Sequence, residues 1–402
     1  ELEKINDDFF DYIFLSKGKK PEIKNIDDFK KEFEYWYPVD FRNSGKDLIQ
    51  NHLTFFLFNH TAIFPEKYWP KGMAVNGWVT VDGHKMSKSL GNMIPVREMA
   101  DKFGADASRL TILTGGESLN DPNWDTSLAN SLKEKFSQIY NTIISNYGKG
   151  TGKLTNKDKV ILSKVNTLIK ETAPLMEETL FRSASQKIFF EYWKIIKNYT
   201  NKNDEINKKT FKEITESFLI MLTPFCPHLT DEIWQKIGFK ESINLSKWPK
   251  ANEKLIDKHA EEQENLIAQI TNDINSIKEI SKIQNPSKIK LFVAPEWKWT
   301  ELEIILKATD GKPDFGIAIK AVMADSSLKS KGKAIQFFVQ GIIKKLPEFK
   351  EKQKMDELKL LNENKELLEK TFNCSIEIQN ADKSNETKAK NALPGKPAIL
   401  IQ

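Results

Sequence analysis

Arginine is nearly missing from this chain: only Arg42, Arg97, Arg109 and Arg182 among 61 basic residues, the rest being lysine. Lysine thus serves wherever a point charge is enough, and the arginines that persist mark positions that need a planar fork. Three of them fall in the first third of the chain, either as ion pairs bracing the fold or as ligand contacts. Cysteine is scarcer still, Cys226 and Cys374 alone, with no Cys/His spacing around either. That excludes a disulfide scaffold and a cysteine-based zinc knuckle, and it fits a reducing cytoplasm. Long apolar runs are absent: residues 53–58 and 218–222 are the longest candidates, far short of the roughly 18 needed to span a bilayer. The start, Glu1-Leu2-Glu3-Lys4, is acidic and has no secretory apolar core. A glutamate in first position implies a chain that begins inside a longer reading frame or was cut. Repeats and low-complexity tracts are lacking too. A net charge of +5 is modest, so any nucleic acid must be held by local patches.

What is present is an ordinary globular composition, 39% hydrophobic and 29% charged over 402 residues, enough for two to four domains. The periodicity divides the chain into three. Residues 1–125 open with an acidic helical lead (7–14), a Lys/Gly/Pro linker (17–26) and a short amphipathic helix (27–35). A strand is predicted at 36–41, a turn at 43–47, an apolar buried helix at 48–58 and a second strand at 73–81. Strand, glycine turn, buried helix, strand is the grammar of a parallel α/β nucleotide-binding sheet, of which about half is present. Residues 126–250 carry apolar positions at spacings of three and four (Leu128, Leu132, Phe136, Ile139, Ile143). The pattern returns at 160–176, 183–199, 211–222 and 229–237, which predicts an antiparallel helix bundle. Residues 251–402 are mixed: a long charged helix (253–283), a strand (288–293) and helices at 315–322, 333–345 and 355–372. A strand at 374–378, a polar surface loop at 380–391 and a closing strand at 398–402 follow.

The second strand leads into Lys85-Met86-Ser87-Lys88-Ser89, followed by Leu90-Gly91-Asn92. Two ammonium groups three residues apart on a small, glycine-ended loop suit a polyanion gripped at one moment of a reaction. Compact point charges and hydroxyls can follow a departing pyrophosphate where a rigid fork could not. The bland alternative is a solvated basic turn.

This five-residue stretch resembles the Lys-Met-Ser-Lys-Ser signature of class I aminoacyl-tRNA synthetases. Tyr35-Trp36-Tyr37-Pro38-Val39-Asp40-Phe41-Arg42-Asn43-Ser44-Gly45-Lys46-Asp47-Leu48-Ile49-Gln50-Asn51-His52-Leu53 resembles leucyl-tRNA synthetases of the archaeal and eukaryotic-cytosolic type. So do Trp69-Pro70-Lys71-Gly72, Asn76-Gly77, Gly104-Ala105-Asp106-Ala107 with Arg109-Leu110, Asp121 with Trp124, and the ending Leu393-Pro394-Gly395-Lys396-Pro397-Ala398-Ile399. Pro224-Phe225-Cys226-Pro227-His228-Leu229-Thr230-Asp231-Glu232-Ile233-Trp234 is similar to an element shared by the leucine, isoleucine, valine and methionine enzymes.

The resemblance implies a fold of class α/β plus α. It comprises the second half of a class I Rossmann-like parallel catalytic sheet (1–125), an α-helical bundle of the anticodon-binding type (126–250) and a small mixed α/β carboxy-terminal domain that binds tRNA (251–402). It implies leucine activation with ATP and Mg²⁺ followed by transfer to tRNA-Leu, with no tightly bound cofactor. Lys85 and Lys88 would neutralise the ATP phosphates, with Ser87, Ser89 and loop backbone as secondary contacts and Met86 packing the loop. Gly45 and Asp47 would line the adenylate ribose or the tRNA acceptor end; the alternative is a left-handed glycine turn with Asp47 as helix N-cap. His52 would face the site or fill the buried helix. Asn76 and Gly77 would admit adenine to backbone contact. His228 reads as a helix-entry brace. In the tail, Ile399, Leu400, Ile401 and Gln402, assisted by Lys388, Lys390 and Lys396, would reach the long variable arm of tRNA-Leu; the alternative is a sheet edge free of RNA. The His-x-Gly-His signature of these enzymes is absent, since His52, His60, His84, His228 and His259 do not make it. The inserted editing domain is absent as well. The chain therefore reads as a carboxy-terminal half or subunit that needs its amino-terminal half as partner. An isoleucine, valine or methionine enzyme, and a tRNA-binding module without catalysis, remain the alternatives.

Overall fold

The computed structural model describes residues 2–200, 206–325, 332–350, 352 and 354–402. It divides into two compact units, Glu1–Glu253 and Lys254–Gln402.

Unit 1 opens with the short helix Asp7–Phe10 and a π-turn (Asp11–Leu15), where the helical lead is expected; the helix Ile26–Trp36 follows, and its Ile26 and Phe33 join Ile13 and Tyr68 in a small core. β1, Arg42–Gly45, then pairs in parallel with β2, Met73–Asn76. The strand lies one step later than the sequence predicts, on residues read as a turn. Trp36 still belongs to the helix and Pro38 has no N–H to give. A single bond, from the Lys71 N–H to the Val39 carbonyl at 2.9 Å, precedes the ladder, which begins where the Arg42 N–H donates to the Gly72 carbonyl at 3.1 Å. After β1 come a 3-10 turn (Lys46–Leu48), a π-turn (Ile49–Leu53) and the helix Thr54–Ile63. The expected buried helix at 48–58 is corrected on both counts. It is regular only from Thr54, and within it only His60 is buried, while Phe55 and Phe58 are 65% and 66% exposed. Parallel strands ordinarily sit in larger sheets covered on both faces; here two strands leave that helix without a layer to pack on.

The single strand expected at 73–81 is two strands in different sheets. β3, Thr80–Val81, pairs antiparallel with β4, His84–Lys85, and in parallel with β5, Asn123–Trp124. The change of course falls at Gly77, where a Cβ would lie 2.4 Å from the Asn120 carbonyl oxygen. The helices Val96–Phe103 and Ala105–Gly115 precede β5. Beyond it run Thr126–Asn146, Asn156–Glu177, Phe181–Ser185 continuing through a π-turn (Gln186–Tyr192) into Trp193–Thr200, then Lys208–Leu222 and Pro227–Lys236. Three of them start on the polar caps that helix ends call for. Asp125 accepts from the Leu128 N–H, Thr155 and Asp158 form a reciprocal capping box, and Asn207 accepts from the Thr210 N–H. The apolar spacing seen in the sequence is the buried face, with Leu132, Ile139, Ile143, Phe211 and Phe218 inaccessible to solvent.

Unit 2 is built on a three-stranded sheet in the order β7-β6-β8. β6, Lys288–Val293, runs parallel to β7, Ser375–Asn380, and antiparallel to β8, Ala398–Ile401. The charged helix is Lys258–Ser281. The helix Glu296–Thr309 is not legible in the sequence, because its buried residues include Lys298 and Glu301 and its apolar periodicity is broken. Phe315–Ala324 and Gly332–Ile342 follow; the helix expected over 355–372 is split at Asn364 into Glu357–Glu363 and Lys365–Phe372. Ile289, Leu291 and Val293 of β6 meet Trp299, Leu302, Ile305 and Ile376 in one continuous core. The segment read as a surface loop contains two 3-10 turns, Ala381–Lys383 and Thr387–Asn391, with Ala389 buried beside Phe292. Among the described residues no helix is long and apolar enough to cross a membrane.

Candidate functional site

Gly45 and Asn76 end the two parallel strands as register partners, at the carboxyl edge where α/β sheets take ligands. Gly45 is extended (φ −93°, ψ 150°) and itself caps the 3-10 turn, so neither the left-handed turn nor the Asp47 cap is what occurs. The Asp47 carboxylate instead folds back, its Oδ1 2.4 Å from where a Cβ on Gly45 would stand. Lys46 pairs with Asp121 at 2.5 Å, and the same Asp121 oxygen accepts from the Trp78 N–H at 2.7 Å. The Lys46 ammonium, with that N–H, holds the Asp121 carboxyl below its usual range. The end of β1 is thereby tied to the Gly77-Trp78 turn. The Asn76 side-chain amide is taken up by the Gly77 carbonyl at 3.0 Å.

His52 is neither core filler nor free. It is exposed, and its Nε2 lies 2.6 Å from Arg42 Nη2, whose guanidinium sits 4.8 Å from the centroid of the Phe56 ring. A guanidinium only donates, so His52 accepts through Nε2. Arg42, one of the four arginines, is thus a brace of this corner. Arg109 is another, donating to the Pro224 carbonyl at 2.8 Å.

The lysine loop is held at its base. Asp82 (φ 48°) and Gly83 (φ 83°) make the left-handed pair a two-residue hairpin needs. Asp82 accepts from the backbone N–H and the hydroxyl of Thr126, both at 2.9 Å, which keep its carboxyl below the ordinary range. Asn92 closes the loop: its Oδ1 accepts from the Ser87 N–H at 2.8 Å and its Nδ2 donates to the Lys85 carbonyl at 3.0 Å. The Ser87 and Ser89 hydroxyls lie 2.7 Å apart, and Met86 is half-buried. Lys85 and Lys88 are exposed, and neither pairs with a carboxylate among the described residues. The Lys85 ammonium rests 5.4 Å from the centroid of the half-exposed Trp78 ring. Two unneutralised cations on a stapled loop can meet an incoming polyphosphate without first breaking an ion pair. Trp78 and Asp82 were not singled out in the sequence, and Asp121 and Asn92 were named only within family-like stretches, without a role. The Asp-Gly pair before the loop was the one available signal, as a hairpin turn.

His228 stands at a helix start, as read: its N–H and that of Leu229 donate to buried Asp106 at 3.3 and 2.6 Å. A carboxylate there meets the positive end of the helix.

In the tail, Lys388, Lys390 and Lys396 are exposed. Ile399 is in the core, in register with Leu291, and Leu400 and Ile401 are half-buried. Gln402 exposes its side chain, while its backbone N–H donates to the Lys288 carbonyl at 2.9 Å. Lys388, Lys396 and Ile399 meet around one cavity of about 350 Å³, with Lys345 also on its lining. The Ile399 side chain is turned into the core, while Leu400 and Ile401 keep part of their surface in solvent.

Residues 1–125 match the family described as tRNA synthetases class I (I, L, M and V), and residues 158–293 match the anticodon-binding domain of tRNA ligases. The full length of the chain is 36% identical to a leucine--tRNA ligase of Pyrococcus horikoshii and 35% identical to one of Methanosarcina mazei. It spans 42% and 44% of those relatives, well under half of their length. A crystal structure of an Agrobacterium radiobacter K84 LeuRS–tRNA–LeuAMS ternary complex is 21% identical, with a TM-score of 0.48 over 55% of this chain and 29% of that one.

Proposed function

The chain belongs to the class I tRNA synthetases, matching part of their leucine enzymes, and from that premise we propose that it is the lysine-loop and tRNA-binding portion of a leucine--tRNA ligase. The reaction is leucine adenylation by ATP, then transfer of leucine to tRNA-Leu, in the cytoplasm where tRNA is charged. The observation that carries this reading is the stapled loop that leaves β4, whose Lys85 and Lys88 pair with no carboxylate among the described residues. Both ammonium groups would neutralise the β and γ phosphates as the leucine carboxylate attacks the α-phosphorus. Such contacts, strongest in the transition state, act on rate more than on binding. Gly45, Asp47, His52, Asn76 and Gly77 would line the adenylate or the acceptor end. Mg²⁺ would travel with ATP, ligated by phosphate and water; among the described residues no group of three His, Cys, Asp or Glu gathers to hold a metal.

The bared helix Thr54–Ile63 supports the view that the sheet is finished by another portion of the enzyme, the one with the His-x-Gly-His and editing elements. Residues 1–125 then serve as the second half of the catalytic domain, 126–250 as the helical bundle that positions tRNA, and 251–402 as the domain that reads it. Phosphate contacts from bundle lysines would set register without specifying sequence. Of the tail, the exposed Lys388, Lys390, Lys396 and Gln402 are the groups available to RNA, with Ile399, Leu400 and Ile401 holding the strand that presents them.

Titrating the chain with tRNA-Leu, tRNA-Leu shortened in its variable arm, and tRNA-Ile tests the assignment. Preference for intact tRNA-Leu of tenfold or more, about 1.4 kcal/mol, is expected. Equal binding to all three removes the tail as the reader.

A further inference from the structure

Three charged side chains of unit 2 converge on the segment that carries the basic turn. Lys298, 6% exposed, donates to the carbonyls of Lys390 at 3.0 Å and Ala392 at 2.6 Å. Lys352 donates to the Gly395 carbonyl at 3.1 Å. Glu357, 3% exposed, accepts the Gly395 N–H at 2.9 Å and the Trp299 indole N–H at 3.0 Å through the same Oε1. Between these anchors Leu393 and Lys396 close a tight turn on each other, with Gly395 at φ +65°. A Cβ on Gly395 would meet only the movable Lys352 side chain, at 3.0 Å from its ammonium, so it is the left-handed backbone that calls for glycine there.

Buried charges are a poor way to hold an ordinary loop, since apolar side chains of similar volume commonly do as well or better. Their use here is explained if the placing of this stretch of backbone matters. What that backbone displays is Lys388, Lys390 and Lys396, all exposed, beside a cavity walled by Leu393, Pro397 and Ile399. We propose that Lys298, Lys352 and Glu357 are positioning residues that fix the 390–395 backbone so that these three ammonium groups are arranged in advance for neighbouring phosphates of an RNA strand. Arranging them beforehand removes part of the ordering cost of binding. The proposal rests on the reading of this turn as an RNA contact.

The test is a titration of the full chain with tRNA-Leu between 50 and 200 mM salt, with folding checked by circular dichroism. Glu357→Gln and Glu357→Leu lose the same charge, but only glutamine keeps an acceptor. Glu357→Gln is expected within about twofold of the parent; Glu357→Leu is expected about five- to tenfold weaker, with a salt slope shallower by roughly one phosphate contact. A folded Glu357→Leu that matches Glu357→Gln in affinity and slope overturns the proposal. If Glu357→Leu does not fold, Lys352→Gln against Lys352→Met poses the same question, since both lose one charge and only glutamine keeps a donor. Equal binding by that pair overturns it likewise. A joint Lys388→Ala, Lys390→Ala, Lys396→Ala variant separates the two layers. No loss of binding there removes the RNA reading itself. Loss there with no difference within either pair removes only the positioning role.

Discussion

The helices Thr54–Ile63 and Glu296–Thr309 invert what their sequences suggest. The first, rich in phenylalanine, buries only His60; the second carries Lys298 and Glu301 into a core. Burial follows the layer available to cover a helix, and apolarity alone does not supply one. Unit 2 closes its sheet and core within its own residues. The strand-bearing part of unit 1 has two small sheets and an aromatic helix face left bare. On the function proposed above, the bare face of unit 1 is where the amino-terminal portion docks.

The largest effect that bears on this contrast is catalytic. In enzyme reconstituted with the matching amino-terminal portion, Lys88→Ala is expected to slow leucine-dependent ATP–pyrophosphate exchange by about 10²–10³. Lys85→Ala should cost less, its ammonium having Trp78 as a second resting place. Stability of the isolated chain should show the reverse pattern. Leu302→Ala, in the closed core, is expected to cost about 2–5 kcal/mol in denaturant unfolding. Phe58→Ser, on the bare helix, should stay within about 0.5 kcal/mol and weaken association with the amino-terminal portion instead. A large stability loss from Phe58→Ser would mean that helix is already covered.

The two units should also answer pH in opposite directions. Burial pushes the carboxyls of Glu301 and Glu357 up to about 7. A carboxyl whose folded pKa is raised stabilises fully below its unfolded value, near 4.3, and loses that contribution as pH climbs through the folded one. Unit 2 should therefore lose stability between about pH 4.5 and 7, on the order of 2 kcal/mol for each group, and Glu301→Gln should flatten the profile. In unit 1, Asp82, Asp121 and Asp231 are held below the ordinary range by hydrogen bonds and, for Asp121, Lys46. Their contribution is present above about pH 4 and is lost as pH falls. Thermal scans from pH 3.5 to 8 read both arms. The smallest effect is that of Asp121→Asn, an exposed pair screened by solvent, visible as a few-fold rise in KM for ATP in the reconstituted enzyme.

These contrasts also mark how far the sequence could be read. The bundle helices were legible because their apolar spacing matches faces that this chain itself covers, as at Leu132, Ile139 and Ile143. The lysine loop was legible as a motif, yet its support by Asp82 and Asn92 was not, being a matter of single hydrogen bonds. The misplaced strand at β1 and the supposedly buried helix after it share one cause: apolar periodicity reports a covering layer, and the two-stranded β1-β2 sheet supplies none for that helix. In unit 2 the failure ran the other way. Lys298 and Glu301 read as surface and hid the helix Glu296–Thr309, because nothing local announces that Lys298 is held by distant carbonyls or that Glu301 is buried beside it.

On the proposed function, this chain brings a working lysine loop to a catalytic sheet that an amino-terminal portion completes. Leucine-dependent ATP–pyrophosphate exchange, measured on the chain alone and again with the matching amino-terminal portion, tests it most directly. The account predicts no exchange alone, exchange in the mixture, and loss of that exchange with Lys88→Ala. Exchange by the chain alone, or an active mixture indifferent to Lys88→Ala, would contradict it.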